Sequence, residues 1–389
     1  MKIYPYSKQK IFNSDIKFLN KILKSDYLTQ GPVVKEFEKK IAKYVNAKHS
    51  IATNSATSAL HIACVALGLK HNDELWTVPI SFVASANCGL YCRAKIDFVD
   101  INKNHFNIDI EKLEEKLKKK VPKILVTVHL GGQPPEQEKI WSLAKKYKFF
   151  IIEDASHSLG ATRKKIKVGS CKWSDITIFS FHPVKMITTT EGGMAITNNK
   201  KYFDIMKMLV NHGITRDKKK LLKKKYGFWH YEQQLLGFNY RMNEISAGLG
   251  LSQLKKLNLF VKKRNFLANN YKKLLEDLPV KYQEIIKHNK SSYHLFIILL
   301  NLKKIKKKYN NVFNLLRKKG VNVNLHYSPI HLHPFYKNLG FRKGNFPTAE
   351  NYGENAISLP LYYDLNKKDQ KQIIKILIKI LKLNYKSDL

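Results

Sequence analysis

Between residues 33 and 200 the sequence switches repeatedly between two periodicities, and this constrains the fold more than any other feature. Short apolar runs stand at Ser50–Thr53, Glu74–Val78, Lys95–Val99, Lys123–Val128, Phe149–Ile152, Thr177–Ser180 and Met194–Thr197. Most are bounded by Gly, Asn, Asp or Pro and are short enough to be strands. Between them lie stretches with apolar residues every three or four positions: Val34–Val45, Ala56–Leu67, Phe82–Tyr91, Ile108–Lys119 and Gln137–Lys146. A strand followed by a helix and another strand favours parallel pairing, with helices packed over the sheet. The expected class is α/β, with a mainly parallel central sheet covered on both faces. Helices are expected again at about 201–211 and 242–258.

After about residue 260 the alternation stops. Asn265–Glu276 and Val312–Lys319 read as helices, Tyr293–Leu300 and Val321–Leu325 as strands, and Lys367–Leu381 as a long terminal helix. We expect a large domain over 1–255 and a smaller α+β domain over 256–389. No G-x-G-x-x-G follows the first strand, which disfavours a dinucleotide fold.

Composition excludes more than it assigns. The net charge is +40, yet only seven of the 70 basic residues are Arg. Lysines are spread along the whole chain, and no basic helix carries interleaved base-reading residues. Nucleic-acid binding is therefore a remote alternative. The four cysteines form no C-x-x-C pair, and HLHPF around His331 and His333 has no nearby Cys or carboxylate. No metal site is expected. The N-terminus lacks an apolar leader and no run is long enough to span a bilayer, so the expected location is cytoplasmic.

Ligands in open parallel sheets bind beyond the carboxyl ends of the strands. Three groups stand at such ends. Asn54-Ser55-Ala56-Thr57 begins a helix, where free amides and hydroxyls suit a phosphate; the same residues also read as an ordinary N-cap. Asp154 ends the apolar strand of FFIIEDASHSLGA, with His157 one turn later; it also reads as a loop cap. In FSFHPVKMITTTEGG, Pro183 stops the strand after Ser180, Lys185 follows in the turn, and Gly192-Gly193 permit tight or positive-φ backbone. A lysine in an apolar turn has a lowered pKa and can act as a nucleophile, although most lysines of this chain are solvated surface. Together the three groups supply what pyridoxal phosphate needs: an amine, a carboxylate for the ring nitrogen and a phosphate cradle.

TVPISFVASAN, EDASHSLGA, FSFHPVK, TEGGMAITN, NHGITRD and GFNYRMNEISAGLGLSQL resemble the motifs of the DegT/DnrJ/EryC1/StrS family of sugar aminotransferases, end to end. The resemblance implies a fold-type-I aminotransferase using pyridoxal 5'-phosphate, with pyridoxamine 5'-phosphate as its intermediate form. It implies that Lys185 carries the cofactor covalently and moves protons, and that Asp154 pairs with the pyridinium nitrogen. Phe82 is implied to stack on the ring and His157 to sit near its phenolic oxygen. Ala56, Thr57 and Ser180 are implied to hold the phosphate, with Asn239 reaching the phosphate of a neighbouring subunit in a homodimer. Tyr6, Asp26, Tyr27, Leu28, Thr29, Leu325, His326, Tyr327 and Ser328 match positions that contact a nucleotide-sugar, as do Ala56, Ser180 and Asn239.

The implied substrates are L-glutamate and a UDP-linked 4-keto-sugar, aminated at carbon 4. One branch of the family dehydrates sugars and carries His in place of the lysine; Lys185 points to transamination. The basic stretch 217–235 reads as a solvated loop or as a cover for the UDP diphosphate.

Overall fold

The computed structural model describes residues 2–222, 227 and 229–381. Seven strands build the central sheet: β1 (His49–Thr53), β2 (Glu74–Thr77), β3 (Lys95–Phe98), β4 (Ile124–Val128), β5 (Phe150–Asp154), β6 (Ile176–Ser180) and β7 (Gly193–Thr197). Their order is β1-β7-β6-β5-β4-β2-β3. The pairs β2–β3, β2–β4, β4–β5 and β5–β6 are parallel, whereas β7 runs antiparallel to both its neighbours.

Alternate side chains point to opposite faces of a strand. Leu75, Val126, Ile152, Ile178 and Ala195 pack on one face with Ala59, Ala63, Cys64, Cys88 and Met206. These last five come from α1 (Ala56–Ala66), α2 (Ala84–Tyr91) and α3 (Lys200–Leu209). Their neighbours in sequence, Trp76, Leu125 and Ile151, pack on the other face with Leu113, Ile140 and Leu143. On that same face Phe179, Met194 and Ile196 pack with Phe37, Ile41, Ala247 and Leu251. A separate core gathers strands Val280–Tyr282, Phe296–Leu300 and Ala356–Leu359 with the helices Leu257–Leu274, Tyr309–Lys318 and Lys367–Leu381.

Three local expectations change. The helix expected over 242–258 ends at Leu254, and a new one runs unbroken from Leu257 to Leu274. At the break Lys256 Nζ lies 2.7 Å from the fully buried Asp15, which also accepts from Gln253 Nε2 at 2.7 Å. Asp15 belongs to Asn13–Leu23, a helix absent from the sequence reading. The strand expected over Val321–Leu325 is reduced to Val321–Asn322, parallel to Tyr4–Pro5, and a single bridge from Asn324 to Ser358; Leu325 lines a cavity.

Among the described residues no helix is long and apolar enough to cross a membrane, and no cluster of His, Cys, Asp and Glu could hold a metal ion. His331 is buried against Glu350 at 3.0 Å. Within the basic stretch 217–235, residues 223–226 and 228 lie outside the described residues.

Candidate active site

The carboxyl ends of the strands meet at one edge of the sheet. Gly193 opens β7 and is paired with Thr53 at the end of β1 and with Ser180 at the end of β6. Asp154, ending β5, faces Ile178 of β6 and Val128 of β4. A cavity of about 400 Å³ opens here.

Its first wall is the start of α1. The Ser55 side chain accepts from Ser58 N at 3.1 Å, the geometry of an N-cap. The first amides of a helix have no intrahelical acceptor. With Ser58 satisfied by the cap, the amides of Ala56 and Thr57 have no acceptor among the described residues and suit an anion, reinforced by the helix dipole. The cap and phosphate readings of Asn54–Thr57 are therefore compatible.

Gly193 passes directly beneath this start. A Cβ there would stand 2.5 Å from Ala56 N and from the Ser55 carbonyl. Close approach, not backbone freedom, requires the glycine. The positive-φ residue of the turn is Thr190, at φ 67°.

The second wall carries Asp154. Ser85, on α2, donates to Asp154 Oδ2 at 2.6 Å, and Ser156 N donates to Oδ1 at 3.2 Å. Ser81 stands 2.6 Å from Ser85. Each carboxylate oxygen has two lone pairs, so a position remains for a ring N–H. Glu153, its neighbour, points to the other face of β5, where burial pushes its carboxyl up to about 7.

Lys185 sits in the turn after β6, and its backbone N–H donates to His182 O at 2.9 Å. Burial lowers its ammonium to about 8, partly opposed by the negative charge of Asp154. Desolvation without a close counter-ion is what makes a lysine amine nucleophilic near neutral pH.

Tyr6, Ser180, Leu325, His326 and Tyr327 complete the set, with Phe82 exposed at the cavity. The Phe82 and Tyr327 rings lie 6.2 Å apart, and Tyr6 packs 5.0 Å from His326. His157 Nε2 lies 3.1 Å from the Tyr327 hydroxyl. Burial, and then the charge of Lys185, hold His157 well below the usual histidine range and His326 near 3, so both rings are neutral.

Asp26–Thr29, Ser328 and Asn239 stay outside this cavity. Asn239 is exposed, and its carbonyl accepts from Asn54 Nδ2 at 3.5 Å. Leu28 O accepts from Glu244 N at 3.0 Å, which ties that segment down beside Asn243.

Sequence reasoning missed Ser81, Ser85 and His294. Ser85 carried a signal, since it lies three residues after Phe82 on a predicted helix. His294 carried none.

Residues 9–378 match the DegT/DnrJ/EryC1/StrS aminotransferase family. The chain belongs to that family. The aminotransferase is 42% identical over 381 residues to the UDP-4-amino-4,6-dideoxy-N-acetyl-β-L-altrosamine transaminase of Campylobacter jejuni, covering 97% of each chain. The solved structure of Helicobacter pylori PseC, an aminotransferase involved in the biosynthesis of pseudoaminic acid, superposes with a TM-score of 0.89. It is 32% identical to the aminotransferase, with 98% of this chain and 100% of that one covered. The PLP form of Streptococcus pneumoniae Spr1654 superposes with a TM-score of 0.88 at 28% identity, covering 98% and 99%.

The fold is that of the fold-type-I aminotransferases, and the protein is a sugar aminotransferase that uses pyridoxal phosphate. The donor set fits the cofactor: a desolvated amine, a carboxylate with a free position, and a helix start that a Cβ at residue 193 would block.

Proposed function

We propose that the enzyme transfers the amino group of L-glutamate to carbon 4 of UDP-2-acetamido-2,6-dideoxy-β-L-arabino-hex-4-ulose, a UDP-linked 4-keto-6-deoxy-N-acetylhexosamine, in pseudaminic acid biosynthesis. One observation carries the chemistry. Lys185 presents a desolvated amine without hydrogen bond or ion pair among the described residues, in one cavity with Asp154 and the start of α1. The choice of sugar is supported by the Campylobacter jejuni relative, which matches along nearly the whole of both chains.

When bound, pyridoxal phosphate supplies a carbonyl for covalent attachment and a conjugated ring that accepts the electron pair left as a C–H bond ionises. Lys185 holds the cofactor covalently. As general base and acid, its amine would take the α-proton of glutamate and, in the second half-reaction, deliver a proton to carbon 4 of the sugar. Asp154, oriented by Ser85 and Ser156, keeps the ring nitrogen protonated. The free amides of Ala56 and Thr57, with Ser180, hold the phosphate. Phe82, exposed at the cavity, would stack on the ring.

Tyr6 and Leu325–Tyr327 receive the sugar. Asp26–Thr29 and Ser328 belong to its nucleotide end. The +40 net charge attracts a UDP diphosphate from solution. In this reading the enzyme is a cytoplasmic homodimer in which Asn239 reaches the neighbour's phosphate. The core built mostly from residues after 266 supports a smaller domain within 256–389 beside the large one over 1–255.

The test is a panel of UDP-, dTDP- and GDP-linked keto-sugars offered with L-glutamate, with products assigned by NMR. Amination of the named UDP-sugar at carbon 4 with the highest kcat/KM is expected. An unchanged UDP-sugar beside an aminated competitor would overturn the substrate assignment.

A further inference from the structure

His294 lies 109 residues from Lys185 in sequence, yet it lines the same cavity. It precedes the strand Phe296–Leu300, so it enters the site from the part of the chain beyond the central sheet. Its segment is firmly placed. Ser292 N donates to Gly132 O at 2.9 Å, Ser292 Oγ donates to His157 O at 2.8 Å, and Arg264 Nη1 donates to His294 O at 3.0 Å.

The His294 ring packs on that of His157, with centroids 4.3 Å apart and planes at 46°. On both rings Nδ1 is buried and has no hydrogen-bond partner among the described residues. Leaving a buried polar nitrogen unpartnered is destabilising. Here two stand on neighbouring rings. One N–H and one lone pair, brought together, satisfy both.

Neutral imidazole carries one proton, so fixing it on one nitrogen decides what the other nitrogen does. His157 uses Nε2 at the Tyr327 hydroxyl. We propose that His294 is a positioning residue: its Nδ1 accepts a hydrogen bond from His157 Nδ1–H, which leaves His157 Nε2 to accept from the Tyr327 O–H and turns the phenol's lone pairs toward the bound reactants. Both residues line the cavity, but His294 acts on Tyr327 through His157. The relay rests on reading this cavity as the active site.

Both rings suit the role. Burial holds His294, like His157, well below the ordinary histidine range, with the neighbouring imidazole and Lys185 adding to the shift. The Tyr327 hydroxyl is pushed far up by burial and remains a donor.

The test uses holoenzyme labelled with ¹⁵N-histidine. The ¹⁵N shifts of His157 should report an Nδ1–H tautomer in the wild type. In His294→Phe, which keeps a ring but removes both nitrogens, that signature should be lost. In His294→Gln, whose carbonyl still accepts, it should be retained.

In parallel, cofactor absorbance follows the half-reaction with L-glutamate. His294→Phe and Tyr327→Phe should each slow it by roughly ten- to a hundredfold. The double variant should be no slower than the slower single, because coupled sites are not additive. His294→Gln should recover most of the rate.

An unchanged His157 tautomer in His294→Phe would overturn the proposal, as would additive losses. If His294→Phe fails to fold, the Gln variant decides: loss of the Nδ1–H signature in a folded protein sinks the relay. A wild type inert toward glutamate would indict the amino donor alone, since the tautomer is read without turnover.

Discussion

Two partly buried lysines in this aminotransferase meet different fates. Lys116 lies on the helix Ile110–Leu117, over the Trp76 ring at 4.5 Å. Its Nζ donates to Phe98 O at 2.7 Å and pairs with Asp97 at 2.5 Å. Lys185 lies in the turn after β6, and its Nζ has neither an acceptor nor an ion pair among the described residues. Burial lowers the pKa of both. At Lys116 the ion pair offsets it and fixes the amine in place. At Lys185 only the charge of Asp154 opposes it. Desolvation alone does not make a chemical lysine; desolvation with an amine left free to form a bond does.

The comparison breaks most sharply on substitution. Lys185→Met should abolish covalent attachment of the cofactor and lower turnover by at least the roughly 10²–10⁴-fold typical of a positioned acid–base group. Lys116→Met should leave kcat within about twofold and change stability by no more than about 1 kcal/mol, as for a pair near the surface. Borohydride reduction followed by peptide mass spectrometry checks both. A cofactor-modified peptide containing residue 116, or full turnover in Lys185→Met, would remove the distinction.

A smaller effect is expected at Gly193, which touches neither amine. The extra methyl of Gly193→Ala drives into the backbone of Ser55 and Ala56. Overpacking of this kind costs about 1–3 kcal/mol. The displaced helix start should weaken phosphate binding, so cofactor affinity, measured by titrating the apoenzyme, should fall together with the melting temperature. Gly193→Ala with unaltered affinity would mean that the start of α1 does not hold the phosphate.

Much of this site could be read before any coordinates. Lys185, Asp154 and Thr57 follow strand ends or helix starts, and parallel sheets bring those to one edge. What failed to show depends on contacts between distant segments. Ser85 acts on Asp154 across 69 residues, and His294 meets His157 across 137. No local periodicity encodes such meetings. The helix Leu257–Leu274 read as two pieces because its apolar positions serve two cores: Phe260 and Val261 pack with the large sheet, Leu267 and Tyr271 with the smaller one. The motif match across the chain supplied the cofactor and the family, which spacing alone left open beside a plain N-cap and a loop cap.

The last effect is on stability alone, and its sign follows from Lys185. The folded apoenzyme holds this amine at about 8, against 10.5 for an ordinary lysine. Below pH 8 both folded and unfolded chains carry the proton, and folding bears the full desolvation penalty. Between about 8 and 10.5 the unfolded chain binds more protons than the folded one, so this group's contribution to stability rises with pH. Above 10.5 both forms are neutral and the penalty has gone. Lys185→Met removes the penalty at every pH. The apo variant should therefore melt above the wild type at pH 7, with the gap closing as pH climbs through that window. Lys116, also lowered but paired with Asp97, should show a weaker slope when replaced in the same way. Differential scanning of the three apoproteins from pH 7 to 10.5 measures the gap directly, and a gap that stays constant or widens with pH would show that the Lys185 amine is not desolvated in the folded chain.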